Sequence, residues 1–316
     1  MRATVIGAGR MGTGIAQVCA EAGVQVSLLA RRAPALEVAL ASVQANQREL
    51  VGAGLLTAAA ASATRARIHP TIHPELALVH AEFVLEAIVE DLGEKQACFR
   101  ELERLAPATA ILATNTSSLS ITAIASATRH PERVVGLQWL DPPHLTLPVE
   151  ITRGRDTSEA TLVAVADLVR RLGRVPIRVE HDVPGFLWRR LELALVREAF
   201  HLVEQGVARR EDVDLAMQWG LGPRWAAAGP FRLMDLGGLE DVRADGMAVY
   251  PVLSTAAMPG ALLEERLAAG ATGAAAGHGM YDYPPGAHAT LLASRNARLL
   301  ALRRALGPPP SGRDAL

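Results

Sequence analysis

Six residues near the amino terminus, Gly7-Ala8-Gly9-Arg10-Met11-Gly12, have the G-x-G-x-x-G spacing that lets a chain wrap a phosphate. They follow a short strand pattern, residues 2–6, and open a stretch of helical periodicity, residues 11–22. In that context each glycine has its own task. Gly7 permits the tight turn, Gly9 lets a pyrophosphate approach the backbone at a helix N-terminus, and Gly12 lets helix and strand pack closely. Arg10 and Met11 lie on the same phosphate-facing loop. The chemistry implied is dinucleotide binding.

A second strand pattern, residues 24–29, should end in an acidic residue that accepts hydrogen bonds from the adenosine ribose. Ala30 stands there, followed by Arg31 and Arg32. Without the carboxylate a 2′-phosphate is no longer repelled, and a guanidinium can clamp it bidentately. This strand end favours NADP(H), with NAD(H) as the alternative. In an arginine-rich chain both residues are also accounted for as solvated surface.

The elements that must hold these residues alternate. Strand patterns recur at residues 83–85, 110–113, 134–137, 149–152 and 175–179, with helical patterns between them, notably 94–105 and 159–172. That alternation predicts an α/β fold, an N-terminal Rossmann doubly wound sheet. The rhythm changes after His181-Asp182-Val183-Pro184-Gly185. Beyond it the periodicity is helical throughout: a long helix over 187–205 closed by Gly206, another over 209–219, then shorter helices to Leu306 and a frayed tail, 307–316. The reading is therefore two domains, 1–183 for the dinucleotide and 184–316, all-helical.

Composition excludes several classes. A formal net charge of −1 over 316 residues provides no field to hold nucleic acid or an anionic membrane. No apolar run approaches the ~18 residues of a membrane span. Cys19 and Cys98 fit no metal-ligand spacing, so no metal is expected, and two lone thiols suit a reducing, cytoplasmic setting. Lys95 is the only lysine among 32 lysines and arginines.

Several segments, in order, resemble the 3-hydroxyacyl-CoA dehydrogenase family. They are residues 7–16, Glu-Ala-Ile-Val-Glu-Asp (86–91), Asn-Thr-Ser-Ser-Leu-Ser (115–120), Pro-Pro-His-Leu (142–145), Pro-Val-Glu-Ile (148–151), Val-Pro-Gly-Phe (183–186), Gly-Pro-Phe (229–231) and Gly-Met-Tyr-Asp-Tyr (279–283). Trp-Gly-Leu-Gly-Pro-Arg-Trp (219–225) is most similar to the branch containing L-gulonate and carnitine dehydrogenases and the lambda-crystallins. The resemblance implies hydride transfer between nicotinamide and a secondary alcohol or ketone, and a homodimer built through the helical domain. It assigns Glu90 and Lys95 to the cofactor side, Asn115 and Ser117 to the nicotinamide and reacting oxygen, and Glu150 to orienting a catalytic histidine.

That histidine is absent. The position twelve residues before Glu150 is Gln138, the asparagine usual before the double proline is Asp141, and the one expected after Gly-Phe is Arg189. A glutamine amide donates a hydrogen bond but cannot shuttle a proton at neutral pH. Losing a general acid forfeits about 10²–10⁴-fold in rate. Asp141 is the nearer stand-in acid, opposed by Arg189 if the two pair, and Arg189 is alternatively a clamp for a substrate anion. His144 is the nearest other imidazole. Trp139, Trp188, Trp219 and Trp225 fall in segments expected to face the interdomain cleft. Few basic residues occur between Ala33 and Ala63, which makes a CoA thioester a poor fit.

Four functions suit this pattern. A biosynthetic ketoreductase, with Ser117, Gln138 and water or Asp141 polarising and protonating the oxygen, fits best. An imine reductase, a gulonate-like hydroxy-acid dehydrogenase, and a dinucleotide-binding protein with little catalysis are the alternatives. All four take a small molecule.

Overall fold

The structure, a computed structural model, describes residues 1–307. The tail expected to fray lies outside the described residues beyond Gly307. The chain runs β1 (Arg2–Ile6), α1 (Arg10–Glu21), β2 (Gln25–Leu29), α2 (Ala33–Gly52), α3 (Ala58–Ala66), β3 (Ile68–Thr71), α4 (Pro74–Leu78), β4 (Phe83–Glu86), α5 (Leu92–Leu105), β5 (Ile111–Thr114), α6 (Ile121–Ala125), β6 (Val134–Trp139), β7 (Pro148–Thr152), α7 (Glu159–Arg171) and β8 (Val175–Val179). Helices follow: α8 (Trp188–Glu204), α9 (Arg210–Leu215), α10 (Gly222–Ala227), α11 (Pro230–Gly237), α12 (Leu239–Val249), α13 (Ala261–Ala268) and α14 (Ala287–Leu306).

All eight strands join one sheet, ordered β3-β2-β1-β4-β5-β6-β7-β8. Pairing is parallel from β3 through β6, antiparallel between β6 and β7, and parallel again to β8. Strand order reverses between β1 and β4, the switch point at which open α/β sheets bind ligands. Residues alternate between two cores. Val5, Leu28, Leu85, Leu137 and Ile151 pack with α1, α2 and α7, whereas Ile6, Leu29, Val84 and Leu112 pack with α4, α5 and α6. A sheet covered on both faces explains why β4, β5 and β6 are buried along their length rather than at alternate residues.

The chain divides into two compact units, Met1–Arg189 together with the stretch from Arg298 onward, and Arg190–Ala297. The expected Rossmann sheet and helical C-terminal part are both present. Three local expectations change. β3 is read as a strand only in the structure, because Ile-His-Pro-Thr has neither alternation nor length. Residues 209–219 form α9 followed by a π-helical stretch, Ala216–Leu221, rather than one α-helix. α14 is 20 residues long rather than one of several short helices. Its end packs on the first unit, where Leu300 is buried with Leu50 and Leu145 and Arg303 donates to the His144 carbonyl at 3.0 Å.

Candidate active site

The first helix begins where the glycine loop ends. Gly9 is its N-cap, and no side chain satisfies the first-turn N–H groups. Gly7 has φ +106°, and a Cβ there would lie 2.4 Å from the Ala87 carbonyl oxygen. A Cβ on Gly12 would lie 1.9 Å from the Gly7 carbonyl oxygen. A Cβ on Gly9 would meet nothing within 4 Å. Two glycines thus close the turn on itself, and the third leaves open backbone at the positive end of a helix dipole. That cradle fits a dinucleotide pyrophosphate. Met11 packs partly buried against the neighbouring core.

The β2 end lies beside the glycine loop, where the Gly7 N–H donates to the Leu29 carbonyl at 2.9 Å. Ala30 is buried and its N–H donates to Thr71 at 3.2 Å, while Arg31 and Arg32 are exposed. Neither guanidinium forms a hydrogen bond or ion pair with the described residues.

Beyond the switch point three strand ends are tied together. Glu86 ends β4 fully buried; its Oε1 accepts from Lys95 Nζ at 2.6 Å and from the Ile88 N–H at 2.7 Å, and its Oε2 accepts from Thr114 Oγ1 at 2.7 Å. Lys95 is therefore fully buried beneath the loop after β4, with Glu90 3.6 Å from its ammonium. Glu90 Oε1 accepts from Thr116 Oγ1 at 2.5 Å, Ser117 N–H at 2.9 Å and Ser118 N–H at 3.1 Å. Burial alone would raise the Glu90 carboxyl, but the Thr116 and Ser117 donors, the Lys95 ammonium and Ser118 hold it below the usual range. Ser117 Oγ lies 3.5 Å from the same oxygen, so the hydroxyl is only weakly engaged. Asn115 donates its N–H to Glu86 O at 2.8 Å, and its Oδ1 accepts the Trp139 N–H at 3.0 Å, fixing the β5 end against β6.

Gln138 and Glu150 are directly opposed across β6 and β7. Glu150 is fully buried; its Oε1 accepts from the Trp188 N–H at 2.7 Å and the Leu187 N–H at 3.2 Å. Burial raises its carboxyl above the usual range against those two donors. The start of α8 thus partners one oxygen of this buried carboxyl group. Arg189 is the second residue of that helix. Asp141 pairs with Arg10 of the glycine loop, Nε to Oδ1 3.2 Å, a contact that sequence reasoning missed. His144 is buried, 3.6 Å from Glu49, with its carbonyl held by Arg303. Both contacts hold the loop after Asp141 against α2 and α14.

Trp139 is buried and contributes to the core, whereas Trp219 is 76% exposed. The missed residue with the clearest signal is Glu86, a carboxylate inside an apolar strand nine residues before the only lysine.

This fold and site define a dinucleotide-binding oxidoreductase. Residues 2–183 match the NAD-binding domain of 3-hydroxyacyl-CoA dehydrogenase and residues 185–283 match its C-terminal domain. The chain belongs to that family. It is 33% identical over 302 residues to the 5-formyl-3-hydroxy-2-methylpyridine 4-carboxylate 5-dehydrogenase of Mesorhizobium japonicum, covering 96% of this chain and 97% of that one. It is 34% identical to human mitochondrial hydroxyacyl-coenzyme A dehydrogenase, over 89% of this chain and 90% of the human one. Among solved structures, an NAD+-dependent 5-formyl-3-hydroxy-2-methylpyridine 4-carboxylic acid 5-dehydrogenase superposes with TM-score 0.90 at 32% identity, covering 96% of this chain and 98% of that one. The (S)-3-hydroxybutyryl-CoA dehydrogenase of Ralstonia eutropha gives 0.75 at 32% identity, covering 90% and 99%. The protein is accordingly a nicotinamide-dependent dehydrogenase acting between hydroxyl and carbonyl. No helix among the described residues is long and apolar enough to cross a membrane.

Proposed function

We propose that the protein interconverts the alcohol and carbonyl forms of a compact small molecule rather than an acyl-CoA, in the reductive direction. The observation that carries this is the Gln138–Glu150 pair at the carboxyl end of β6, where the family resemblance expects an imidazole. The likeness to the pyridine-carboxylate dehydrogenase, at TM-score 0.90 against 0.75 for the hydroxybutyryl-CoA enzyme, supports a compact substrate. The Trp219–Trp225 run and a carboxylate-bearing substrate in that relative's name also suit the gulonate-like branch.

A bound nicotinamide would supply or accept the hydride. The protein's own part is to hold and polarise. The first turn of α1 would take the pyrophosphate, Asn115 would fix the loop beside the ring, and the Gln138 amide would donate a hydrogen bond to the reacting oxygen. No imidazole accepts a proton here, which disfavours alcohol oxidation near neutrality. Replacing Gln138 by histidine tests the assignment. In the rebuilt site a lone histidine is mispaired, and kcat/KM for reduction should fall. A rise in alcohol oxidation above the imidazole pKa of about 6.5 would instead identify a latent dehydrogenase of the ordinary family type. Unchanged kinetics in both directions would remove Gln138 from the reacting centre.

For the cofactor, we read Arg31 and Arg32 as a 2′-phosphate clamp and NADPH as preferred over NADH. Arg31→Ala or Arg32→Ala should then lower the preference by about 1–3 kcal/mol, the worth of a charge-assisted hydrogen bond. Fluorescence titration of both dinucleotides measures this, and tighter binding of NADH by the parent protein would end it.

We further take the region after Pro184 as a dimerisation domain, with the end of α14 returning to the Rossmann unit. Between Arg190 and Ala297 no side chain larger than serine is buried, and Leu191, Trp219, Phe231, Leu236 and Val252 are exposed. A helical unit of these residues, with no large side chain fully buried, cannot offset its chain entropy alone. A second copy of the chain covers these faces. Light scattering at micromolar concentration should give twice the monomer mass, and a monomer would contradict the assignment.

A further inference from the structure

At directly opposed positions of an antiparallel pair the side chains stand on one face, with Cβ atoms about 4.5–5.5 Å apart. Gln138 and Glu150 occupy such positions. Each contributes a buried oxygen without a hydrogen-bond donor: Oε1 of Gln138 and Oε2 of Glu150. The other Glu150 oxygen already accepts two backbone N–H groups. Buried acceptors left bare are costly, so two on one cross-strand pair call for a donor.

A charged Glu150 supplies none. The Gln138 amide would then have to turn its N–H toward the carboxylate, leaving its own oxygen facing the reacting centre. An acceptor in that place repels a carbonyl oxygen. A proton on Glu150 Oε2 resolves both atoms with one bond, because O–H donates to Gln138 Oε1 and the two N–H groups of Nε2 are left for substrate. The charged groups around Glu150 do not oppose this. β6 carries no ionisable residue, the β8 residue opposite Glu150 is Ile177, and α8 presents backbone N–H of Trp188 ahead of Arg189. Asp141, on the loop between β6 and β7, is paired with Arg10, and His144 on that loop lies beside Glu49. Burial is the largest influence on the carboxyl and favours its neutral form.

We propose that Glu150 is a neutral carboxylic acid that donates to Gln138 Oε1, fixing the amide with Nε2 toward the reacting oxygen. Glu150 is thus a positioning residue acting through Gln138. The chain carboxyl–amide–carbonyl polarises in one direction, each bond strengthening the next. The direction of the amide toward substrate rests on the function proposed above; the proton on Glu150 does not, and it exists without cofactor or substrate.

Infrared spectroscopy of the full-length protein, with no ligand added and at neutral pH, reads the proton directly. A carbonyl band of a protonated, hydrogen-bonded carboxylic acid is expected, shifting with ¹³C-glutamate labelling. It should disappear in Glu150→Gln and move to higher frequency in Gln138→Leu, which removes the acceptor and keeps the acid. Gln138→Leu alone assigns the band if Glu150→Gln fails to fold. Absence of any acid band in the parent protein overturns the proposal, as a charged Glu150 bridged by water would give. A band unmoved by Gln138→Leu overturns it as well. Failure of the function reading would instead show as a correct spectrum in a protein that reduces no carbonyl.

Discussion

Gly9→Ala should leave the fold intact and lose the dinucleotide, while Gly12→Ala should damage the fold itself. The two glycines are three residues apart and differ in what surrounds them. Gly9 has φ −78°, which alanine adopts freely, and a Cβ there meets no protein atom. The methyl would instead occupy the space that a pyrophosphate needs. Affinity for NADPH or NADH should fall roughly tenfold to a thousandfold, about 1.4–4 kcal/mol, with the melting temperature unchanged. At Gly12 the methyl would lie 1.9 Å from a backbone carbonyl that cannot swing aside. Overpacking of this kind costs about 3 kcal/mol or more and should appear as a lower melting temperature before any ligand is added. Calorimetric melting together with dinucleotide titration separates the two. Equal loss of stability in both variants would mean that Gly9 faces protein rather than ligand.

The second large effect concerns Lys95. Its ammonium and the Glu86 carboxylate are both fully buried and 2.6 Å apart. Lys95→Met strands a buried carboxylate that keeps only the Ile88 N–H and Thr114 hydroxyl as donors. Removing one partner of such a pair costs about 3–5 kcal/mol, which denaturant unfolding would register as a lower midpoint at unchanged slope. Combining it with Glu86→Gln should recover much of the loss, because no charge is then left unpaired. Additive losses would show that the two residues act independently. Because Glu90 leans on the same ammonium at 3.6 Å, the single variant should also loosen the Ser117–Ser118 loop and weaken dinucleotide binding.

Much of this was legible in the chain because local signals agreed. The glycine loop sits between a strand and a helix in sequence and in structure, and the apolar runs at 134–137, 149–152 and 175–179 fall within β6, β7 and β8. The link between Gln138 and Glu150 came from the family resemblance, and the structure opposes them on adjacent strands joined by residues 140–147. Other features rest on tertiary context. β3 pairs only with β2 at the sheet edge, where Pro70 and His69 are tolerated and leave no strand signature. The Arg10–Asp141 pair joins residues 131 apart, which no spacing rule anticipates. α14 distributes its apolar residues around the helix, so its length shows only once Leu300 is seen against Leu50 and Leu145. Lys95 drew notice as the only lysine, but its burial partner Glu86 lies on another element, and only the fold brings them together.

On the function proposed above, this dinucleotide-binding protein moves hydride to a small carbonyl compound despite glutamine at the expected histidine position. Incubating it with NADPH deuterated at the transferable position and a pool of small ketones, aldehydes, keto acids and cyclic imines tests this by mass spectrometry. The expected product is heavier by one deuterium on a new carbinol carbon, formed by the parent protein and lost in Gly9→Ala. Tight dinucleotide binding with no deuterium in any compound would contradict it and mark a protein that holds the cofactor without using it.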